Sequence, residues 1–91
     1  MDRLAVFAEA ENLFQLGLKY DEGNGVQENK AEALKLYTKA HAMGNVHATV
    51  NLGMLYLEGK VVERNAATAF QFFQRAHEAG DVDGAWYLFE N

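Results

Sequence analysis

Three histidines are the residues whose chemistry most directly suggests a metal site or a general base, because imidazole binds metal ions and titrates near neutral pH. His41 and His77 are separated by 36 residues, without the i, i+4 spacing that puts two ligands on one helical face. The chain has no cysteine to complete a zinc site. We interpret His41 and His77 as structural residues near helix C-termini, where the macrodipole favours a protonated ring. His47 is interpreted as solvated or facing a partner.

Acidic residues occur as two pairs, Asp21 with Glu22 and Asp81 with Asp83, which could suggest calcium binding or acid–base catalysis. Neither pair belongs to the D-x-D-x-D-G series with a distant glutamate that forms a calcium loop. The Gly23-x-Gly25 segment lacks the preceding strand and the following lysine of a phosphate loop. No Ser-His-Asp, nucleotide or cofactor signature occurs. The sequence therefore predicts a protein that is not an enzyme and that uses no cofactor and no metal.

The charge balance argues against nucleic acid and membrane surfaces as partners. The formal net charge is -5, whereas phosphate backbones and anionic lipids require a concentrated basic surface. The line Lys30, Lys35 and Lys39 has Glu32 within it and is predicted to be the solvated outer face of a helix; a patch for an acidic partner is the alternative. No segment approaches the ~20 apolar residues of a membrane span. We expect a cytoplasmic protein, with removal of an export signal before Met1 as the alternative.

The elements that position these residues repeat at an offset of 36 residues. The segment Leu16-Gly17-Leu18-Lys19-Tyr20 matches Leu52-Gly53-Met54-Leu55-Tyr56, and the offset holds without a gap. Further identities include Gly23 with Gly59, Asn29 with Asn65, Ala33 with Ala69, Ala40 with Ala76, and Gly44 with Gly80. Self-similarity at a fixed period of this length is typical of repeat arrays. The prediction is one domain over 1–91, with a lead-in to about Ala8, repeat 1 over about 10–45, repeat 2 over about 46–81 and a half repeat over 82–91.

Each repeat reads as an antiparallel pair of helices, which we name A and B. Apolar residues on the A helices follow the three-or-four spacing of a buried helical face: Leu13, Leu16, Gly17 and Tyr20 in the first, and Val50, Leu52, Leu55 and Tyr56 in the second. Gly23 and Gly59 suit left-handed positions after a helix, and Asn29 and Asn65 suit N-caps of the B helices. B helices are predicted over 30–43 and 66–79, and a last A helix over 82–89. The fold class is therefore all-α, an α/α solenoid of five helices.

Small residues on the A helices are predicted to let helix backbones approach closely. Gly17 and Gly53 remove the side chain that would separate two helices. Tyr37 and Phe73 on the B helices supply large rings to fill the space beside them.

At this point the sequence resembles the Sel-one-like repeat (SLR) family of the tetratricopeptide-like superfamily, over about residues 10–88. The resemblance rests on Leu-Gly-x-x-Tyr, on Ala33-x-x-x-Tyr37 and Ala69-x-x-x-Phe73, and on the Gly-x-Gly-Val turn at 23–26. The chain departs from an ordinary tetratricopeptide unit in its period and in lacking proline, and Lys60-Val61 replaces Asn24-Gly25 in the second loop. The resemblance implies a right-handed superhelix with the A helices on its concave side, acting as an adaptor or scaffold for a protein or peptide.

The resemblance also places the partner-binding surface on the A helices. The concave positions correspond to Phe14, Leu18, Val50, Met54, Leu57 and Trp86. The rim of the groove corresponds to Glu11, His47, Asn51 and Asp83. Such a groove suits a partner helix or an extended peptide, and Met and aromatic side chains suit adaptable surfaces. The alternative is that most of these residues simply pack between neighbouring helices.

A second hypothesis is self-association, because repeat stacks need capped ends. The incomplete third repeat carries Trp86, Leu88 and Phe89, whose apolar surface a following helix would have covered. This hypothesis predicts a homodimer that uses the C-terminal end.

Overall fold

Four α-helices make up the described part of the computed structural model, which covers residues 2–80. They are α1 (Arg3–Glu22), α2 (Lys30–Ala42), α3 (Val46–Glu58) and α4 (Ala66–Glu78). Helices α1 and α2 form repeat 1, α3 and α4 form repeat 2, and each helix packs on the next one along the chain. The all-α prediction is confirmed with four helices and two repeats. The predicted fifth helix, over 82–89, lies outside the described residues.

Asparagine side chains cap the N-termini of three helices. The two caps on the B helices were predicted from the sequence. The Oδ1 atoms of Asn29 and Asn65 accept hydrogen bonds from the backbone N–H groups of Glu32 and Thr68, both at 3.0 Å. Asn45 caps α3 in the same way, with a 2.9 Å bond from the N–H of Ala48. Each cap satisfies one of the amides that the first turn of a helix leaves without a partner.

Glycines with positive φ end the two A helices. Gly23 has φ 69° and Gly59 has φ 72°, the left-handed region that glycine enters without steric cost. The prediction for both positions is confirmed. These reversals are followed by short loops that return the chain to the next B helix.

The lead-in predicted up to Ala8 is helical, because α1 begins at Arg3. Asp2 supplies its N-cap, accepting a 2.9 Å hydrogen bond from the N–H of Leu4. Residues 3–9 contain no glycine or proline to stop a helix. Helix α1 therefore has 20 residues, whereas its counterpart α3 has 13.

Gly17 and Gly53 sit where two helices of a repeat approach most closely. A Cβ atom at Gly17 would lie 2.7 Å from the Tyr37 ring, and one at Gly53 would lie 2.5 Å from the Phe73 ring. Both rings are fully buried. The predicted pairing of a small residue with a large ring is confirmed in both repeats.

The core consists of one buried cluster that spans both repeats and a second that lies within repeat 2. One buried cluster joins α1, α2 and α3 through Phe14, Ala33, Tyr37, Ala40, Ala48, Leu52 and Leu55, and a second joins α3 and α4 through Val50, Ala69, Phe73 and Ala76. Leu16 was predicted to be buried, yet it is 40% exposed. Its counterpart Leu52 is buried because repeat 1 lies against it, and no described helix precedes α1 to do the same for Leu16.

Candidate protein-binding surface

The structure brings several of the predicted groove residues together where α1 lies beside α3. The Phe14 ring stacks on the His47 imidazole, with centroids 5.7 Å apart and planes at 29°. Asn45, which caps α3, donates a 3.0 Å hydrogen bond to Glu11 on α1. These contacts join the A helices into one surface.

We call this the A-helix surface and define it by seven residues. They are Glu11, Phe14 and Leu18 on α1 with His47, Val50, Asn51 and Met54 on α3. The predicted residue Leu57 packs with Met54 on the second core cluster. Four predicted residues lie outside the described residues: Asp83, Trp86, Leu88 and Phe89.

Burial divides the A-helix surface into a floor and an accessible part. Phe14 is 8% exposed and Val50 is 7% exposed, so both act mainly in packing between helices. Leu18, Asn51 and Met54 are half-buried and His47 is exposed. A partner could therefore reach Leu18 and Met54 more readily than the two residues beneath them. The assignment of these positions to partner binding stays a prediction.

Glu11 carries the charge at one end of the surface. Hydrogen bonds from the side chains of Gln15 and Asn45 lower its pKa, and the neighbouring His47 acts in the same direction. Burial opposes this shift. Glu11 is therefore ionised at neutral pH and is held in place by two amide donors.

His41 does not behave as the macrodipole argument predicted. Its Nδ1 lies 2.7 Å from Thr49 Oγ1, and the Thr49 hydroxyl donates to the carbonyl of Asn45. Because the Thr49 hydroxyl donates elsewhere, its oxygen accepts from a protonated Nδ1 of His41. Burial lowers the pKa of His41, and the Arg75 guanidinium lowers it further. The expectation of a cation is wrong because α3 and α4 enclose the ring, which the position on α2 alone does not reveal.

A polar cluster between α1 and α2 was not predicted from the sequence. Lys30 Nζ lies 2.6 Å from Asp21 Oδ1, and the Tyr37 hydroxyl donates to Asp21 Oδ2 at 2.9 Å. Burial raises the pKa of Tyr37, and the bond to Asp21 raises the pKa of Lys30. Lys30 was predicted with Lys35 and Lys39 on a solvated face. Lys35 and Lys39 are exposed, whereas Lys30 is half-buried.

A signal for this cluster was present in the repeat alignment. At the 36-residue offset, Asp21, Lys30 and Tyr37 correspond to Leu57, Ala66 and Phe73. Three polar residues therefore become three apolar residues together. A joint change of this kind indicates that the three positions touch, because an isolated change would leave a buried polar group without a partner.

Among residues 2–80, no group of three His, Cys, Asp or Glu side chains is placed to hold a metal ion. The helices there are all too short or too polar to cross a membrane.

The repeat architecture agrees with a known family over most of the chain. The Sel1 repeat family matches residues 11–45 and 46–81. This chain belongs to the Sel1 repeat family. The resemblance to SLR proteins seen in the sequence is thereby confirmed. Sel1 repeats are scaffold repeats that generally mediate protein interactions.

Solved structures of other Sel1 repeat proteins share the fold. A Sel1 repeat protein from Oxalobacter formigenes superposes with a TM-score of 0.79 at 33% sequence identity, covering 82% of this chain and 31% of that one. A protective antigen with an SLR fold, present in uropathogenic Escherichia coli strains, also gives 0.79, at 36% identity over 82% of this chain and 16% of its own.

Two curated mammalian proteins match about one repeat. DAP3-binding cell death enhancer 1 of Rattus norvegicus is 49% identical over 37 residues, and the protein of that name from Mus musculus is 46% identical over 37 residues. The match covers 41% of this chain and 7% of each relative. The similarity is thus one of repeat unit and not of whole proteins.

Proposed function

We propose that this Sel1 repeat protein is an adaptor that binds a protein or peptide through the concave A-helix surface. The observation that carries the proposal is the side-by-side placement of α1 and α3, which joins half-buried Leu18 and Met54 to the polar groups of Glu11, His47 and Asn51. An apolar centre with a polar rim is the usual anatomy of a protein interface.

The chemistry of the surface suits an amphipathic helix or an extended segment as the partner. Apolar side chains of the partner would cover Leu18 and Met54, whose thioether adapts to different shapes. The Glu11 carboxylate would accept hydrogen bonds or pair with a basic group at the rim. The rat and mouse relatives are named for binding a protein, DAP3, which supports protein binding as the class of function here.

A pull-down from source-cell lysate tests the proposal. Leu18→Glu and Met54→Glu place charges on the accessible part of the surface while leaving Phe14 and Val50 in the core. Leu16→Glu is the matched control, since Leu16 is also a partly exposed leucine of α1 but lies outside the A-helix surface. Circular dichroism checks that all three variants keep the helicity of wild type.

The expected result is a protein that wild type and Leu16→Glu both capture and that Leu18→Glu and Met54→Glu lose. Titration of that purified protein should then show affinity at least about tenfold weaker for the two surface variants, since each buries a charge in an apolar contact. Equal capture by all four baits would overturn the assignment of the A-helix surface.

A further inference from the structure

A stripe of large side chains runs along one side of α1 and extends beyond the A-helix surface. Its members recur at intervals of three and four residues: Leu4, Phe7, Glu11, Phe14 and Leu18. This spacing places them on one helical face. The second half of the stripe meets α3 through the Phe14–His47 stack and the Glu11–Asn45 bond. In the first half, Leu4 is 78% exposed and Phe7 is 70% exposed.

The exposure follows from the different lengths of the two A helices. At the 36-residue offset, Val46 at the start of α3 corresponds to Ala10. Residues 3–9 of α1 therefore extend about 10 Å beyond the level at which α3 begins. No described element covers this extension on the side of Leu4 and Phe7.

A cavity of about 220 Å³ lies at the base of the extension. Its walls come from α1, from the turn after α2 and from the first turn of α3: Phe7, Ala10, Glu11, Met43, Gly44, Asn45, Val46 and His47. Phe7, Ala10, Met43 and Val46 supply apolar lining, and Glu11 and Asn45 supply polar lining. The volume is several times the ~30 Å³ of a water molecule, so the cavity suits a branched aliphatic side chain.

We propose that a second copy of this chain covers the extension, with the two α1 helices antiparallel and Phe7 on the two-fold axis. In this register Leu4 enters the cavity beside Ala10 of the partner subunit. Arg3 meets Glu11 of the partner subunit at the same time. The two-fold axis repeats both contacts, as it must in an isologous interface.

Charge complementarity is the reason for choosing a second copy. Arg3 is the first residue of α1 and the only basic one before Lys19, whereas Glu9 and Glu11 lie two turns later. An antiparallel pair in this register brings Arg3 of each helix to Glu11 of the other and leaves the acidic N-cap Asp2 level with the uncharged Asn12, whereas a parallel pair would bring Arg3 to Arg3. Since each chain carries a net charge of -5, association of two copies needs such opposite charges at the contact. The inference goes beyond the proposed function and does not rest on it.

Sedimentation equilibrium of the full chain gives the first test. Wild type should form a dimer, and Leu4→Glu should weaken the dimer constant about tenfold or more, because a charge replaces a side chain that the partner subunit buries. Leu16→Glu and Met54→Glu should leave it unchanged. Leu4 is exposed in the single chain, so circular dichroism of Leu4→Glu should match wild type.

Disulfide cross-linking tests the register of the two α1 helices. The wild-type chain has no cysteine, so only introduced cysteines can react. An Arg3→Cys variant mixed with a Glu11→Cys variant should give a cross-linked heterodimer on mild oxidation, because the two sulfurs meet and the second Arg3–Glu11 contact stays intact. Either variant alone should cross-link at least about tenfold less, since a disulfide needs Cα atoms within about 7 Å.

Three outcomes would overturn the proposal. One is a monomeric mass for wild type at millimolar concentration. Another is cross-linking in the mixture that is no greater than in either variant alone. The third is a dimer that Leu4→Glu leaves intact and that Trp86→Ala removes, since the contact would then lie at the C-terminal segment.

Discussion

The two repeats join their A and B helices with different chemistry at equivalent positions. Repeat 1 uses the polar cluster of Asp21, Lys30 and Tyr37, in which the carboxylate accepts from both the amine and the hydroxyl. Repeat 2 places Leu57, Ala66 and Phe73 there, and the leucine and the phenylalanine belong to the apolar core between α3 and α4. Both repeats have the same close approach of the two helices, since a glycine opposes the ring in each.

This difference shows that the contact between the A and B helices of a repeat needs a ring and a glycine but not a particular polarity. A part-buried ion pair gives up hydration that its attraction only partly restores, so an apolar version of similar shape is an adequate substitute. The polar version depends on all three members being present. The following predictions separate the shared requirement from the replaceable one, from the largest expected effect to the smallest.

The close approach at the glycines is the shared requirement. Gly53→Ala should lower the free energy of unfolding by about 3 kcal/mol and Gly17→Ala by about 2 kcal/mol, because each added methyl forces a buried ring to move. The larger effect is expected at Gly53, where the Cβ would lie 2.5 Å from Phe73. Urea unfolding followed by circular dichroism measures both. An increase in stability at either position, as alanine gives at an open helical site, would contradict the steric account.

The polar cluster of repeat 1 is the replaceable part. Asp21→Leu should lower the free energy of unfolding by about 2 kcal/mol, because it leaves Lys30 and Tyr37 without their shared acceptor. This value lies between those for exposed and for buried ion pairs. Thermal unfolding checks the value.

A triple variant that carries the equivalent residues of repeat 2 provides the control for Asp21→Leu. The triple change Asp21→Leu, Lys30→Ala and Tyr37→Phe should return to within about 1 kcal/mol of wild type, since it removes the unpaired polar groups together with the carboxylate. A triple variant no more stable than Asp21→Leu alone would show that the polar cluster has no apolar equivalent in repeat 1.

The B-helix caps should be equal in the two repeats. Asn29→Ala and Asn65→Ala should each cost about 1 kcal/mol, since each removes a 3.0 Å bond to a first-turn amide. Asn24→Ala, in the loop and outside the caps, serves as the control and should change stability by less than about 0.5 kcal/mol. Clearly unequal costs for the two caps would mean that the loops that precede them contribute differently.

The histidine at the end of the first B helix should make stability depend weakly on pH. Because burial and Arg75 lower the pKa of folded His41 below its unfolded value, its contribution is fully present above about pH 6.5 and is lost as the pH falls through the folded pKa. His41→Gln should flatten this part of the profile measured by urea unfolding between pH 5 and 8. An increase in the free energy of unfolding on acidification, seen in wild type but not in His41→Gln, would contradict the lowered pKa of His41.

The repeat pattern predicted much of the fold but less of the candidate site. The caps at Asn29 and Asn65 and the turns at Gly23 and Gly59 depend on neighbouring residues along the chain, so single positions were enough to predict them. The exposure of Leu16 and the neutral ring of His41 depend on which helix packs against them. The structure brings Glu11, Phe14 and His47 close together, while their role in partner binding stays a prediction. The family resemblance did not predict the burial that makes Phe14 part of the floor.

The sequence by itself determined the helical period, the turns and the family, because these are encoded by short-range spacing and by residues with special backbone preferences. Only the tertiary structure decided that Asp21 pairs with Lys30, that Phe14 stacks on His47 and that Leu4 and Phe7 extend past the start of α3. Those features arise from contacts between residues distant in the chain. Their energies depend on desolvation and shape at the point of contact, which no single segment contains.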